Sequence, residues 1–197
     1  MGVIIPRWEW RTFGKDFGKS EELIKAHELG NFKKSSEKYI LTVKTSSENC
    51  KIRDDLMDIK SLQQVNADNL EQWYPTLKTG FPIKKEMVEK LFNEFFKIEP
   101  PELKRDEYTY DQYLEEVVGP TEGLEIVDVY KERSIYTIND ATVEIAETKF
   151  NGVPDRTICV EHIDPENVMK TVRELELEGL PNINYIHAMK RAVGMED

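Results

Sequence analysis

Arg7-Trp8-Glu9-Trp10-Arg11 places a charged residue at every second position of the first extended segment. In a strand, residues two apart share a face, so Arg7, Glu9 and Arg11 lie on one side and Trp8 and Trp10 on the other. Lys51-Ile52-Arg53 and Lys131-Glu132-Arg133 repeat the pattern. One such face means little, because an antiparallel sheet often turns a polar side to water. Several of them, mostly basic, in a chain of net charge -11 call for another reason. A cationic interior that takes a polyanion supplies it.

Reading outward, the first strand covers Ile4 to Phe13 and a short helix follows from Ser20 to Leu29, stopped by Gly30. Lys38 to Lys44 is a β-branched and aromatic strand, residues 45–49 a turn, and Cys50 to Arg53 the returning strand. Asp54-Asp55 is a tight turn into a strand from Leu56 to Gln63, which carries Asp58 and Lys60 on one side. Residues 66–75 read as a helical turn or loop. Lys84 to Phe96 is an amphipathic helix, and Tyr108 to Val118 fits either period. From Leu124 the segments LEIVDVYKER, SIYTIND, ATVEIAETKF and RTICVEHI form an antiparallel meander with turns at Asn139-Asp140 and Asn151-Gly152. Helices Pro165 to Leu177 and Ile183 to Val193 close the chain.

The bulk numbers bound the function. At 197 residues, 39% apolar and 33% charged, the chain reads as one globular domain over 1–197 with a proper core. A pI near 4.9 argues against general nucleic-acid binding. No stretch approaches the ~20 apolar residues that cross a bilayer, so neither a membrane nor a nucleic acid is the expected partner, and the expected location is cytoplasmic. Cys50 and Cys159 give no disulfide framework and no zinc-ligand spacing, and read as buried thiols in a reducing compartment. Neither a phosphate-binding loop nor a Ser, Cys or His nucleophile motif is present.

The fold class is α+β, about seven or eight antiparallel strands with helices at intervals. If the strands close into a barrel, inward and outward positions alternate on each, and the charged positions converge on a lumen. Such a lumen would hold Arg11, Lys51, Arg53, Lys60, Lys131 and Arg133, with Arg7 beside them. Empty, it would repel itself; a phosphate chain would relieve the repulsion, Arg giving bidentate contacts and Lys point charges.

The residues at this point resemble the CYTH domain superfamily, the triphosphate tunnel metalloenzymes, over nearly the whole chain. Arg7-Trp8-Glu9-Trp10-Arg11 stands where that family opens with E-x-E-x-K. Cys50-Lys51-Ile52-Arg53 resembles its hydrophobic-R-x-R hairpin, Lys60 its following lysine, and Lys131-Glu132-Arg133 its K-x-R strand. Val143 to Glu147 resembles the acidic strand, Cys159-Val160-Glu161 the late E-x-E, and Tyr185 the aromatic near the start of the last helix. Four positions depart: Arg7 and Cys159 for glutamates, Arg11 for a lysine, and Ala146 for an aspartate.

The resemblance implies an eight-stranded, tunnel-like antiparallel β-barrel with flanking helices. It implies Mg²⁺ or Mn²⁺ held by Glu9 and Glu161, a phosphate clamp of Arg7, Arg11, Lys51, Arg53, Lys60, Lys131 and Arg133, and Glu144 or Glu147 positioning the attacking water. The expected activity is metal-dependent hydrolysis of inorganic tripolyphosphate or another triphosphate-bearing small molecule. The alternative is a non-catalytic module for the same ligands that has lost part of its metal site, and a third reading is a structural protein with a merely solvated sheet face. A homodimer is compatible with all three.

Overall fold

The computed structural model describes residues 4–196. Its wall consists of β1 (Trp8–Phe13), β2 (Asn31–Thr42), β3 (Thr45–Arg53), β4 (Leu56–Val65), β5 (Glu71–Gly80), β8 (Leu124–Ile138), β9 (Ala141–Phe150) and β10 (Val153–His162). Around the ring the order is β1-β10-β9-β8-β2-β3-β4-β5, and β5 returns to β1 through Trp8↔Gln72 and Glu9↔Glu71, so the barrel closes. All of these pairs are antiparallel.

Local chemistry fixes the hairpins. Asp54-Asp55, Asn139-Asp140 and Asn151-Gly152 all adopt positive φ, between 48° and 83°, the left-handed geometry that two-residue turns between twisted strands require. The β2–β3 turn falls at Val43-Lys44, not at the expected residues 45–49, and β2 begins at Asn31 because it pairs with β8 as far as Asn31↔Ile135. β8 is one 15-residue strand in which LEIVDVYKER and SIYTIND run together.

β5 is absent from the sequence reading. Asn66 makes the tight turn before it, its side-chain oxygen accepting from the backbone N–H groups of Asp68 and Leu70, and β5 follows directly. Pro75, which argued for a loop, sits at a register shift between Ile59↔Leu77 and Lys60↔Pro75, where a missing N–H is tolerated.

Helices cover the outside. β6 (Ile83–Lys84) and β7 (Glu107–Tyr108) form a small separate ladder. The helix at 85–96 starts as α2 (Lys85–Lys90) and continues in the wider π geometry over Leu91–Phe96. The segment at 108–118 resolves as helix: α3 (Tyr110–Gln112) opens in a capping box on Thr109 and continues as π-helix over Tyr113–Val118. Together they bury Phe92, Phe96, Tyr113 and Val117 against Ile40, Ile52, Met57 and Ile59 of the barrel. On the opposite side α1 (Gly18–Lys25) and α4 (Pro165–Glu174) cover β1, β9 and β10, with Trp10 packed in the cluster of Ile158, Val160, Val168 and Val172.

α5 (Tyr185–Ala192) does not flank the wall. Its Tyr185, Ile186 and Met189 pack with Tyr39, Leu41, Val127, Val129 and Phe150, which share their strand faces with lumen residues. The helix therefore fills one end of the barrel from within. Its approach is fixed where β5 leaves β1: Arg11 N donates to Asn182 Oδ1 at 2.9 Å and Ile183 N donates to Arg11 O at 2.6 Å.

Candidate functional site

The barrel encloses a polar cavity of about 160 Å³. Strand alternation aims its lining: Glu9 and Arg11 from β1, Tyr39 from β2, Asn49 and Lys51 from β3, Asp58 and Lys60 from β4, Lys131 and Arg133 from β8, Glu144 from β9 and Glu161 from β10. Trp73, Asn184 and Tyr185 complete it. Five of the seven expected phosphate-binding cations thus share one interior space.

The other expected positions lie elsewhere. Arg7 sits at the rim, its side chain 55% exposed and 3.8 Å from Glu161. Arg53 lies at the β3–β4 end of the barrel, 46% exposed, and touches Glu37 instead of the cavity. Glu147, by the period-two rule, faces outward and pairs with Arg156 at 2.7 Å, whereas Glu144, three residues earlier, lines the cavity. The lumen is also not the self-repelling shell that cations alone would make. Arg11 Nε donates to Glu9 at 2.7 Å and its Nη1 lies 3.6 Å from Glu144; Arg133 lies 3.7 Å from Glu144, Lys131 2.9 Å from Glu37 and Lys51 4.0 Å from Asp58. Lys60 makes no ion pair among the described residues.

Glu37 is the residue sequence reasoning missed. It shares the lumen face with Tyr39, a pattern hidden once the strand is started at Lys38. Both its oxygens are used: Lys131 Nζ and Tyr39 Oη donate to Oε2 at 2.9 and 3.1 Å, and Arg53 Nη1 donates to Oε1 at 3.4 Å. Burial would push its carboxyl up, but Lys131 outweighs burial and brings it down to about 2. Burial lowers Lys131 to about 8 against the pull of Glu37, so the pair is ionised at neutral pH.

Glu9 and Glu161 are direct cross-strand partners. Burial and the Glu9 charge push Glu161 up to about 7, while Arg11 overcomes burial and holds Glu9 below the usual carboxylate range. With Cys159 they present three donor atoms, all within 4.8 Å of one another, enough to hold a single ion. Two carboxylates suit Mg²⁺ or Mn²⁺; the thiol, raised by burial, is a softer donor than either ion prefers. Two more atoms ask for a ligand. Tyr185 Oη and Arg133 Nε are buried at the cavity with no hydrogen-bond partner among the described residues, and a buried orphan of this kind costs stability unless something fills the space. Arg11 and Lys131 lie over the Tyr185 ring at 4.5 and 4.2 Å, which fixes both cations without consuming all their donors.

The fold and this lumen define a class: closed antiparallel β-tunnels with ionised interiors. No family model matches the sequence, and no curated protein matches it. Solved structures do. A conserved hypothetical protein from Pyrococcus furiosus superposes with a TM-score of 0.52 at 13% identity, covering 91% of this chain and 98% of that one. A Bacillus halodurans protein assigned as an adenylate cyclase gives 0.50 at 17% identity, covering 91% and 95%. HpAC1 from Hippeastrum, assigned as an adenylyl cyclase and described as having a dominant triphosphatase activity, gives 0.51 at 12%, covering 94% and 96%. At these identities the likeness is one of fold, and that fold is the CYTH-like tunnel with flanking helices.

Proposed function

We propose that this chain is a divergent CYTH-type phosphohydrolase acting on a short inorganic polyphosphate, tripolyphosphate in the first place. The observation that carries the reading is the convergence of Arg11, Lys51, Lys60, Lys131 and Arg133 on one cavity that also holds the facing Glu9 and Glu161. A volume of about 160 Å³ is small beside the ~300–1,000 Å³ typical of sites for organic ligands, which favours a compact anion over one carrying a base or thiamine. The fold likeness to HpAC1 supports triphosphate chemistry in general.

Glu9, Glu161 and Cys159 would hold the divalent ion, which when bound supplies neutralisation of phosphate charge and Lewis acidity. Arg11, Lys51, Lys60 and Arg133 bind and orient the phosphoryl groups. Water oriented by Glu144 attacks phosphorus, the bond to the leaving phosphate breaks, and the surrounding cations stabilise the charge that develops on it. No helix among the described residues is long and apolar enough to cross a membrane, and the two cysteines are free and buried, which supports work in a reducing cytoplasm.

Phosphate release from tripolyphosphate with Mg²⁺, Mn²⁺ or a chelator, beside a thermal-shift titration, tests the reading. Metal-dependent release supports it. Saturable binding without release supports the non-catalytic module instead, a reading favoured by the guanidinium of Arg11 already resting on Glu9 at 2.7 Å. Absence of any binding refutes both.

A further inference from the structure

Between the exposed Arg53 and the cavity stands a carboxylate that the hydrolytic reading does not use. Its own side chain is 2% exposed, and Arg53, Glu37 and Lys131 run inward in that order from the β3–β4 end of the barrel. The contacts on Glu37 are those a phosphoryl group would make there: an ammonium at 2.9 Å, a phenol at 3.1 Å and a guanidinium at 3.4 Å. Lys51 adds its field from the neighbouring strand, and Tyr39 ties the assembly together by accepting from Lys131 at 2.8 Å. No other carboxylate makes an ion pair with Lys131 or lies nearer to it among the described residues.

We infer that Glu37 sets the length of phosphate chain the tunnel accepts: its carboxylate takes the anion position shared by Lys131 and Arg53, confining the ligand to the Arg11, Lys51, Lys60 and Arg133 part of the lumen. The ligand is therefore a short chain of two or three phosphoryl groups, and longer polyphosphates find a fixed negative charge where their next unit would go. The inference rests on the proposed phosphate-binding reading and adds a specificity determinant to it. The cavity's small volume agrees, and Glu37 and Arg53 lie outside its lining, on a separate pocket with Asp54 and Asp55 of the β3–β4 turn.

Affinity is measured by calorimetry for orthophosphate, pyrophosphate, tripolyphosphate, tetrapolyphosphate and a chain of about fifteen units, on the full chain and on Glu37→Gln and Glu37→Asp. Glutamine keeps the volume and an acceptor for Lys131 while removing the charge; aspartate keeps the charge. The expected wild-type profile tightens up to tripolyphosphate and then stays flat within about threefold, Glu37→Asp follows it, and Glu37→Gln gains about tenfold for the longer chains. A wild-type profile that keeps tightening with length overturns the inference without need of any variant. Parallel profiles for wild type and Glu37→Gln overturn it too, and a uniform loss across all lengths in Glu37→Gln would mark Glu37 as a structural support for Lys131 only. If the wild type binds no phosphate chain of any length, the functional reading itself falls and the inference goes with it.

Discussion

Glu9 and Glu161 oppose each other across β1 and β10, one carboxyl held low by Arg11 and the other raised to about 7 by burial and by its partner. A divalent ion binds carboxylates, not carboxylic acids, so loading the site near neutral pH must expel the proton on Glu161. Titrating Mn²⁺ in two buffers of different ionisation enthalpy should show proton release that grows as the pH falls from 8 to 6. Glu161→Gln should abolish it. Heat of binding independent of buffer would contradict this picture of the pair.

Arg11 is an internal tie, its side chain 6% exposed and shared among Glu9, Glu144 and Thr157. Cutting one member from a buried ionic cluster leaves the others uncompensated, at a typical cost of about 3–5 kcal/mol. Arg11→Ala should therefore lower the unfolding free energy obtained from urea titration by that amount and lose tripolyphosphate binding as well. A variant of unchanged stability would show that water, and not Arg11, balances Glu9.

Acid should expose the Glu37 pair. Its folded pKa of about 2 lies below the ordinary 4.5, so its contribution is complete above pH 4.5 and is lost as the pH falls toward 2. The difference of about 2.5 units corresponds to something on the order of 3 kcal/mol. The stability gap between wild type and Glu37→Gln is expected to narrow across that window. A gap that is constant with pH would mean that the carboxylate titrates normally.

Glu144 and Glu147 separate cleanly in position, one at the cavity and one in a surface pair with Arg156. If Glu144 orients the attacking water, Glu144→Gln should slow turnover about 10²-fold or more, while Glu147→Gln stays within about twofold. Comparable losses in both would remove Glu144 from its assigned role.

Trp10, on the outer face of β1, is 4% exposed and packs under α4. Truncation to alanine should cost about 3–5 kcal/mol yet leave the tripolyphosphate dissociation constant of the folded fraction unaltered. A large change in affinity would couple the outer core to the lumen more tightly than the alternation of β1 suggests.

The alternation at Arg7 to Arg11, Lys51 to Arg53 and Lys131 to Arg133 was legible because period two is a property of the strand itself, and the Asp54-Asp55, Asn139-Asp140 and Asn151-Gly152 turns declare themselves by residue type. The fold class follows from those signals. β5 was hidden because Pro75 normally disfavours a strand, and only the bulge against β4 accommodates it. What no local pattern contains is pairing between charges far apart in sequence. Lys131 with Glu37, and Arg11 with Glu144, are set by the order of strands around the ring, so Glu9, Glu161 and Glu144 read as metal ligands and a water-orienting group but not as partners of the cations, and Glu37 did not show at all. Which of two acids three residues apart reaches the interior is, by contrast, set by the strand's own period of two.

The seating of α5 inside the barrel has a bearing on how the protein is made. Trp8 at the start of the wall is stitched to His162 near its end, and the stopper at 185–192 comes later still. On the ribosome the early strands must wait, as an open curl with the apolar ring of Tyr39, Leu41 and Val127 bare, for the seconds that synthesis at ~5–20 residues per second takes to reach the plug. Such remote pairings make for slow maturation, and the nascent curl, rather than the finished tunnel, is the form in which this chain is most exposed to chaperones and to its own neighbours.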